Sequence, residues 1–225
     1  MSKIINIAID GPSGAGKSSL AKNIAKELGY IYVDTGAMYR SIALYYIRRG
    51  ISFSLVDEIV SSLCEIHLNI VYEKGEQRVI LNGEDVSGLI RTGEVSMGAS
   101  AVSAIPEVRA FLLDTQRKLA RENSVVMDGR DIATVILPDA DVKIFLTAND
   151  RKRAQRRFEE LSAKDPSVTF EAVYEDMVKR DKNDSTRKVA PAVCAPDAVV
   201  LDNSDYEEKD TFEHALRIIR EKIGN

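Results

Sequence analysis

Residues 11–18 read Gly11-Pro12-Ser13-Gly14-Ala15-Gly16-Lys17-Ser18 and satisfy G-x-x-x-x-G-K-[ST] at every position. The chemistry of that spacing is phosphate binding. Glycines let backbone N–H groups curl around a phosphate, Lys17 can reach β- and γ-phosphates, and the Ser18 hydroxyl can ligate Mg²⁺. The start of the following helix adds a field that favours negative charge. The motif predicts a nucleoside triphosphate with magnesium, provided that it joins a strand to a helix. The flanks agree. Ile4-Ile5-Asn6-Ile7-Ala8-Ile9 reads as a short buried strand, and Ser19 to Leu28 has helical periodicity with Gly29 as its stop. A glycine-rich turn matching by chance would not bring this context with it.

A second group able to do chemistry is cationic. Arg151-Lys152-Arg153-Ala154-Gln155-Arg156-Arg157 holds five cations in seven residues, followed by Arg180 and Arg187 beyond a loop centred on Lys164-Asp165-Pro166. On a helix, positions three and four apart are neighbours, so Arg153, Arg156 and Arg157 are expected to share a face. Alone, this would read as a solvated face balanced by Glu159, Glu160 and Glu171. Downstream of a phosphate loop, it reads as a helix-turn-helix cover whose guanidiniums meet phosphoryl groups.

The elements that must position these groups are legible as short apolar runs. Ile31–Val33, Ser124–Met127, Val142–Leu146 and Ala198–Leu201 repeat the character of the first strand and alternate with helical stretches, predicting a parallel sheet covered on both faces. Asp10, Asp34, Asp128 and Asp202 follow strands, at the end where ligands gather in open α/β sheets. Acids after strands are also ordinary caps and turn formers, which is sufficient for Asp202. From His67 to Val86 the alternation breaks: two alternating runs flank a turn with Gly75, and Asn82-Gly83 opens another, so an antiparallel hairpin insertion is expected. Pro106 suits the first position of a helix. His67 and His214 are assigned to the insertion strand and the last helix as structural or surface residues.

Bulk properties exclude several classes. With 31 Lys and Arg against 35 Asp and Glu, the net charge of −4 disfavours a general nucleic-acid binder. Cys64 and Cys194 lie far apart and beside no ligand-type cluster, which favours a reducing cytosol over a disulfide framework or zinc site. No apolar run approaches ~20 residues, so no membrane span is expected, and the first strand is too short for a signal peptide. Cytoplasmic location and a monomer are the expectations. Among phosphate-loop proteins, a GTP switch would carry Asn-Lys-x-Asp, which is absent, and Asp128-Gly129-Arg130-Asp131 is not Asp-x-x-Gly. Motor ATPases are usually longer. Several separated arginines on a short chain fit a kinase that neutralises two phosphorylated ligands.

The phosphate loop, Asp34-Thr35-Gly36-Ala37-Met38-Tyr39-Arg40, Gly83-Glu84-Asp85-Val86-Ser87 and Asp128-Gly129-Arg130-Asp131 together resemble bacterial cytidylate kinases. Pro138-Asp139-Ala140, Arg153 to Arg157, Arg180-Asp181 and Val189-Ala190-Pro191 continue the resemblance in order along most of the chain. It implies an α/β P-loop kinase: a five-stranded parallel sheet flanked by helices, an antiparallel β insertion in the monophosphate-binding region, and a helical lid. The expected division is a core of about 1–34, 105–150 and 190–225, a monophosphate region of about 35–104, and a lid of about 151–189. The implied reaction moves the γ-phosphate of ATP to CMP or dCMP, with Mg²⁺.

The same resemblance distributes roles. Gly11, Pro12, Ser13, Gly14, Ala15, Gly16, Lys17, Ser18 and Ser19, with Arg156, are expected at ATP. Ser18, and Asp128 through water, are expected at the metal. Arg40 and Arg130 are expected to grip the acceptor phosphate, because a guanidinium fork matches it bidentately. Ser100 and Arg109 fall where the family recognises cytosine, and Thr35, Asp131, Arg180 and Asp184 where it contacts the sugar or nearby groups. Thr35 departs from the serine often found there but keeps a hydroxyl. Lys17, Arg130, Arg153, Arg157 and Arg187 are the candidates for work on the transferring phosphoryl group. A phosphate acceptor is already ionised near neutrality, its second pKa being about 6, so no general base is needed. Two alternatives stay open at this level: a nucleotide-binding regulatory module, and a kinase for UMP or a hydroxylated acceptor, for which the Asp128–Asp131 pair could serve as base.

Overall fold

The structure is a computed structural model that describes residues 3–73, 75–163 and 165–224. Strands β1 (Asn6–Asp10), β2 (Ile31–Asp34), β6 (Val125–Asp128), β7 (Val142–Thr147) and β8 (Val199–Asp202) form a parallel sheet in the order β2-β6-β1-β7-β8. These are the five expected strands, with ends displaced by a residue or two. Side-chain alternation splits the core into two layers. Ile7, Ile9, Val126 and Ile144 face helices α1 (Lys17–Leu28) and α8 (Glu208–Ile223), where they pack on Leu20, Ile24, Ala215 and Ile219. Ala8, Val33, Val125 and Met127 face the opposite layer, containing α2 (Thr35–Arg48) and α5 (Pro106–Glu122).

Strand register then fixes the chemistry-bearing ends. Asp34 and Ile9 both lie opposite Asp128, so these strands terminate level with one another. Asp34 is also the N-cap of α2, its Oδ1 accepting the Ala37 N–H at 2.8 Å. No linker separates strand from helix, so the carboxylate that caps α2 is fixed at the sheet edge.

Between α2 and α5 the chain forms α3 (Val56–Ser62), the antiparallel sheet β3 (Leu68–Glu73), β4 (Glu76–Leu81) and β5 (Glu84–Asp85), then α4 (Gly93–Val102). The hairpin agrees with the sequence pattern; the two-residue third strand has no periodicity to reveal it. Asn82 at φ 49° and Gly83 at φ 88° make the turn into β5, the left-handed pair that suits a twisted two-residue connection. His67 immediately precedes β3 and exchanges bonds with Asn82, its N–H donating to Oδ1 and its carbonyl accepting the Asn82 N–H. Beyond the core sheet, α6 (Asp150–Ser162) and α7 (Phe170–Thr186) pack through Phe158 and Phe170, whose rings meet edge-on at 6.2 Å. Lys164, in the expected centre of the intervening loop, lies outside the described residues.

The insertion meets the core along the outer edge of β2. Gln77 Oε1 accepts the Asp34 N–H at 2.8 Å while its Nε2 donates to the Asp34 carbonyl at 3.2 Å. Tyr72 Oη donates to the Tyr32 carbonyl at 3.1 Å. Side chains thus take the place of a neighbouring strand and satisfy an edge that would otherwise be open. Gln77→Ala should therefore cost about 1–2 kcal/mol in urea denaturation, the range for a part-buried backbone pair losing its partner; a loss below ~0.3 kcal/mol would show that the edge does not depend on it.

Candidate active site

Gly11 opens the phosphate loop with its Cα pressed on β7: a Cβ there would lie 1.9 Å from the Leu146 carbonyl oxygen, at φ 149°. Gly14, at φ 70°, would place a Cβ 2.9 Å from the Arg153 carbonyl oxygen. Both glycines are therefore required by close backbone approach as well as by conformation. The loop is further held from outside. Asp181 accepts the Ser13 N–H at 2.8 Å, and Arg153 Nη1 donates to the Ser13 carbonyl at 2.6 Å. Asn203 Nδ2 donates to the Ala15 carbonyl at 3.1 Å.

The loop forms one wall of a cavity of about 950 Å³ that collects most of the sequence-predicted residues. Ser13, Gly14, Gly16, Lys17, Ser18 and Ser19 line it from the loop; Thr35, Arg40, Ser100, Arg109, Asp128, Arg130, Asp131, Arg180 and Asp184 line it from other elements; Arg156, Arg157 and Arg187 complete it. Gly11, Pro12, Ala15 and Arg153 are not in the lining. Ala15 is wholly buried, and the Pro12 carbonyl accepts a bond from Lys17 Nζ at 2.6 Å.

Arg153, Arg156 and Arg157, expected on one helical face, diverge at their tips. Arg153 is buried beneath the loop, donating also to the Ala148 carbonyl, Asp150 and Asp181. Arg156 donates to the side chain and carbonyl of Asn203 at 3.0 and 2.9 Å. Arg157 pairs with Glu160 one turn along. Spacing puts three residues on a face, but long side chains choose separate partners.

On the other side, arginines are met by carboxylates from different elements. Asp34 holds Arg40 at 2.8 Å and Arg91 at 3.2 Å. Asp131 holds Arg109 and Arg187, and Arg109 also lies over the Tyr39 ring. Asp184 accepts from Arg130 Nε at 3.1 Å and from Ser100 Oγ at 3.0 Å. Thr35 Oγ1 donates to the Asp128 carbonyl at 2.8 Å. The Nε atoms of Arg40 and Arg180 are both buried with no partner among the described residues, but Arg40 is paired with Asp34 through Nη2 whereas Arg180 meets no carboxylate among them. Arg91, Asp181 and Asn203 were missed by sequence reasoning. Arg91 lies just before α4 with no pattern around it, while the other two act through contacts more than 150 positions away.

These charges shift one another. Burial pulls the Lys17 ammonium well below its ordinary value, helped by Arg130 and Arg180 and opposed by Asp128 and Asp181. Burial, with the Arg130 charge, lowers Arg180 to about 10. Burial would raise Asp34, but Arg40 and Arg91 hold it below the ordinary carboxylate range. Burial raises Asp128, with Asp34 adding to the effect. The cavity thus holds two cations, Lys17 and Arg180, whose charged forms burial disfavours despite the carboxylates nearby.

Ser18 Oγ donates to Asp128 Oδ2 at 2.8 Å, and Tyr32 Oη donates to Oδ1 at 2.8 Å. A hydroxyl and a carboxylate side by side are hard oxygen donors of the kind Mg²⁺ takes beside phosphate oxygens and water. Among the described residues, no group of three or more His, Cys, Asp or Glu could hold a metal by itself.

A phosphate loop and an arginine-lined compartment at the carboxyl end of one parallel sheet define a P-loop kinase. Comparison with known proteins narrows the class. Residues 7–221 match the family described as cytidylate kinase, and the chain belongs to that family. It is 47% identical over 223 residues to the cytidylate kinase of Caldicellulosiruptor saccharolyticus, covering 99% of both chains. It is 48% identical to that of Caldanaerobacter subterraneus subsp. tengcongensis, covering 96% of this chain and 95% of the relative. Among solved structures, an uncharacterized protein from Eubacterium ventriosum shares the fold at 15% identity, with a TM-score of 0.50 over 96% of this chain and 98% of that one.

Asp10, at the end of β1, is buried beneath the site and accepts the N–H groups of Ile132 and Ala133. Burial raises its carboxyl from 3.8 to about 6, the two amides opposing the shift. Because the folded value lies above the unfolded one, its stabilising contribution is fully present below about pH 3.8 and is lost as pH rises through about 6. Titration of the Asp10 carboxyl carbon by NMR should give a midpoint near 6; a midpoint at or below 4 would contradict this reading of its surroundings.

Proposed function

We propose that the protein transfers the γ-phosphate of ATP to CMP or dCMP, giving ADP and CDP or dCDP. The observation that carries this reading is the meeting, in one cavity, of phosphate-loop residues and the guanidiniums of Arg40, Arg130 and Arg180. A triphosphate at the loop would add counter-charge to Lys17, whose charged form burial disfavours. Loop amides and Lys17 hold the donor, with Arg156, fixed by Asn203, beside it. Ser18 and Asp128 are the residues that would hold Mg²⁺, which when bound offsets phosphate charge and orients the donor.

The acceptor phosphate takes Arg40, Arg130 and Arg180, while Ser100, Arg109, Asp131 and Asp184 read the nucleoside. An oxygen of the acceptor phosphate forms the new bond to the γ-phosphorus as the bond to the β–γ bridging oxygen breaks. The nucleophile carries no proton that must be removed, and catalysis is alignment plus relief of repulsion between polyanions. The carboxylates do not suit a base for a hydroxyl acceptor. Asp131 is occupied by two guanidiniums, and Asp128 accepts from both Ser18 and Tyr32. Arg157 approaches the phosphoryl group from α6, Arg187, expected there too, is instead engaged on the acceptor side by Asp131 and Ser103, and Arg153 supports the loop from beneath. The range 35–104 serves as the monophosphate region and 151–189 as the lid. No described helix is long and apolar enough to cross a membrane; the reading is of a cytoplasmic monomer.

A coupled assay of ADP release across CMP, dCMP, UMP, AMP and shikimate tests the proposal. CMP and dCMP should exceed the other acceptors by at least about tenfold in kcat/KM, the discrimination of a site built from hydrogen-bonding groups. ADP release independent of any acceptor would overturn the kinase reading, and preference for shikimate would overturn the choice of acceptor.

A further inference from the structure

Asp128 is followed by a sharp turn and then by Ile132–Ile136, one turn of π-helix. Its bonds run from Ile136 N–H to the Asp131 carbonyl at 3.2 Å and from Leu137 N–H to the Ile132 carbonyl at 2.7 Å. Such turns are poor in intrinsic stability and persist where surroundings impose them. Here both ends are held by opposite charges. At the amino end, the two Asp10 oxygens accept the Ile132 and Ala133 N–H groups at 2.9 and 2.8 Å. At the carboxyl end, Arg117 Nε donates to the Ile136 carbonyl and Nη2 to the Val135 carbonyl, both at 3.0 Å. Anion at the start and cation at the end is the arrangement that the dipole of a helical turn favours.

The turn bears directly on the acceptor side of the cavity. Asp131 is its N-cap, at φ −146° and ψ 28°, and the Asp131 carbonyl accepts both Val135 and Ile136 N–H groups. The carboxylate that holds Arg109 and Arg187 is therefore only as fixed as the turn behind it. Arg109 and Arg117 belong to the same helix, eight positions and about 12 Å of axial rise apart. Helix α5 thus grips the Asp131 side chain with one arginine and the far end of the turn with the other. Asp10, at the near end, is covalently joined to Gly11 of the phosphate loop. Neither Asp10 nor Arg117 lines the cavity.

We propose that Asp10 and Arg117 are positioning residues for the acceptor, clamping the π-turn at both ends so that Asp131 and its two arginines stay in register with the phosphate loop. This rests on the reading of Asp131 as an acceptor-side residue. The test uses the full chain with Arg117→Met, which keeps the stem and removes the donors, and Arg117→Lys, which restores a cation. Arg117→Met should raise KM for CMP about tenfold while KM for ATP stays within twofold and kcat within threefold; Arg117→Lys should recover part of the loss. An unchanged KM for CMP, or parallel rises for both substrates, would overturn the proposal. If Arg117→Met does not fold, the lysine variant decides alone: a rise of about threefold confined to CMP supports the clamp, and no change overturns it.

If the wild-type protein fails to phosphorylate CMP, the functional reading fails, and the clamp is judged without substrate. Exchange of the Val135, Ile136 and Leu137 amides should then accelerate at least tenfold in whichever Arg117 variant folds, with β1 amides unchanged. Equal rates for the turn amides in variant and wild type would overturn the clamp.

Discussion

Arg40, Arg91, Arg109, Arg130, Arg180 and Arg187 face a single cavity together with Lys17, and their mutual repulsion must be met before the chain can fold around them. The protein meets it with carboxylates drawn from separate elements. Asp34 comes from the end of an edge strand, Asp131 from the cap of a π-turn, and Asp184 from helix α7. Each holds more than one donor. The pairs are buried or partly buried, where breaking one leaves an uncompensated charge and costs several kcal/mol. Arg180 is the exception, meeting no carboxylate among the described residues; its Nε, like that of Arg40, is buried without a partner, and its acidity is raised by burial and by Arg130. Seven cations against three paired carboxylates leave the site short of negative charge, and the proposed phosphates would supply it.

That balance makes distant parts of the fold responsible for the site. Gln77 of the insertion holds the Asp34 peptide whose carboxylate takes Arg40 and Arg91. Asp181 of α7 reaches the Ser13 amide and meets Arg153, which is itself lodged under the phosphate loop. Asn203, after the last strand, ties the Ala15 carbonyl to Arg156. The parallel sheet supplies the level platform, but the angles of the side chains on it come from the insertion, α5 and the α6–α7 pair.

What could be read from the sequence follows the range of the interactions. The phosphate loop is visible because its glycines, lysine and serine act within eight residues and its strand and helix adjoin it. The five strands show as β-branched runs, and the hairpin shows through Gly75 and Asn82-Gly83. The π-turn does not show: Ile132-Ala133-Thr134-Val135-Ile136 looks like another apolar strand, and what makes it a turn is Asp10 and Arg117, one far upstream and one on a helix. Periodicity placed Arg153 with Arg156 and Arg157, because spacing reports the face of a helix and not the partner that a long side chain reaches. Arg91 carries no local signal at all. The family resemblance, rather than spacing, brought Ser100, Arg109 and Asp184 to one site, and the cavity does contain all three.

The central claim, that a deficit of counter-charge on the acceptor wall is kept for a phosphate, is tested most directly by Arg180→Met with paired measurements of stability and CMP affinity. The Arg180 guanidinium meets no carboxylate among the described residues and has Arg130 for a neighbour, so without ligand the folded state gains little from keeping the charge there. The account predicts that the variant is at least as stable as the wild type in denaturant unfolding without nucleotide, and binds CMP at least about tenfold more weakly, the loss expected for a charged hydrogen-bond partner. A variant that loses stability while CMP affinity stays unchanged would contradict it.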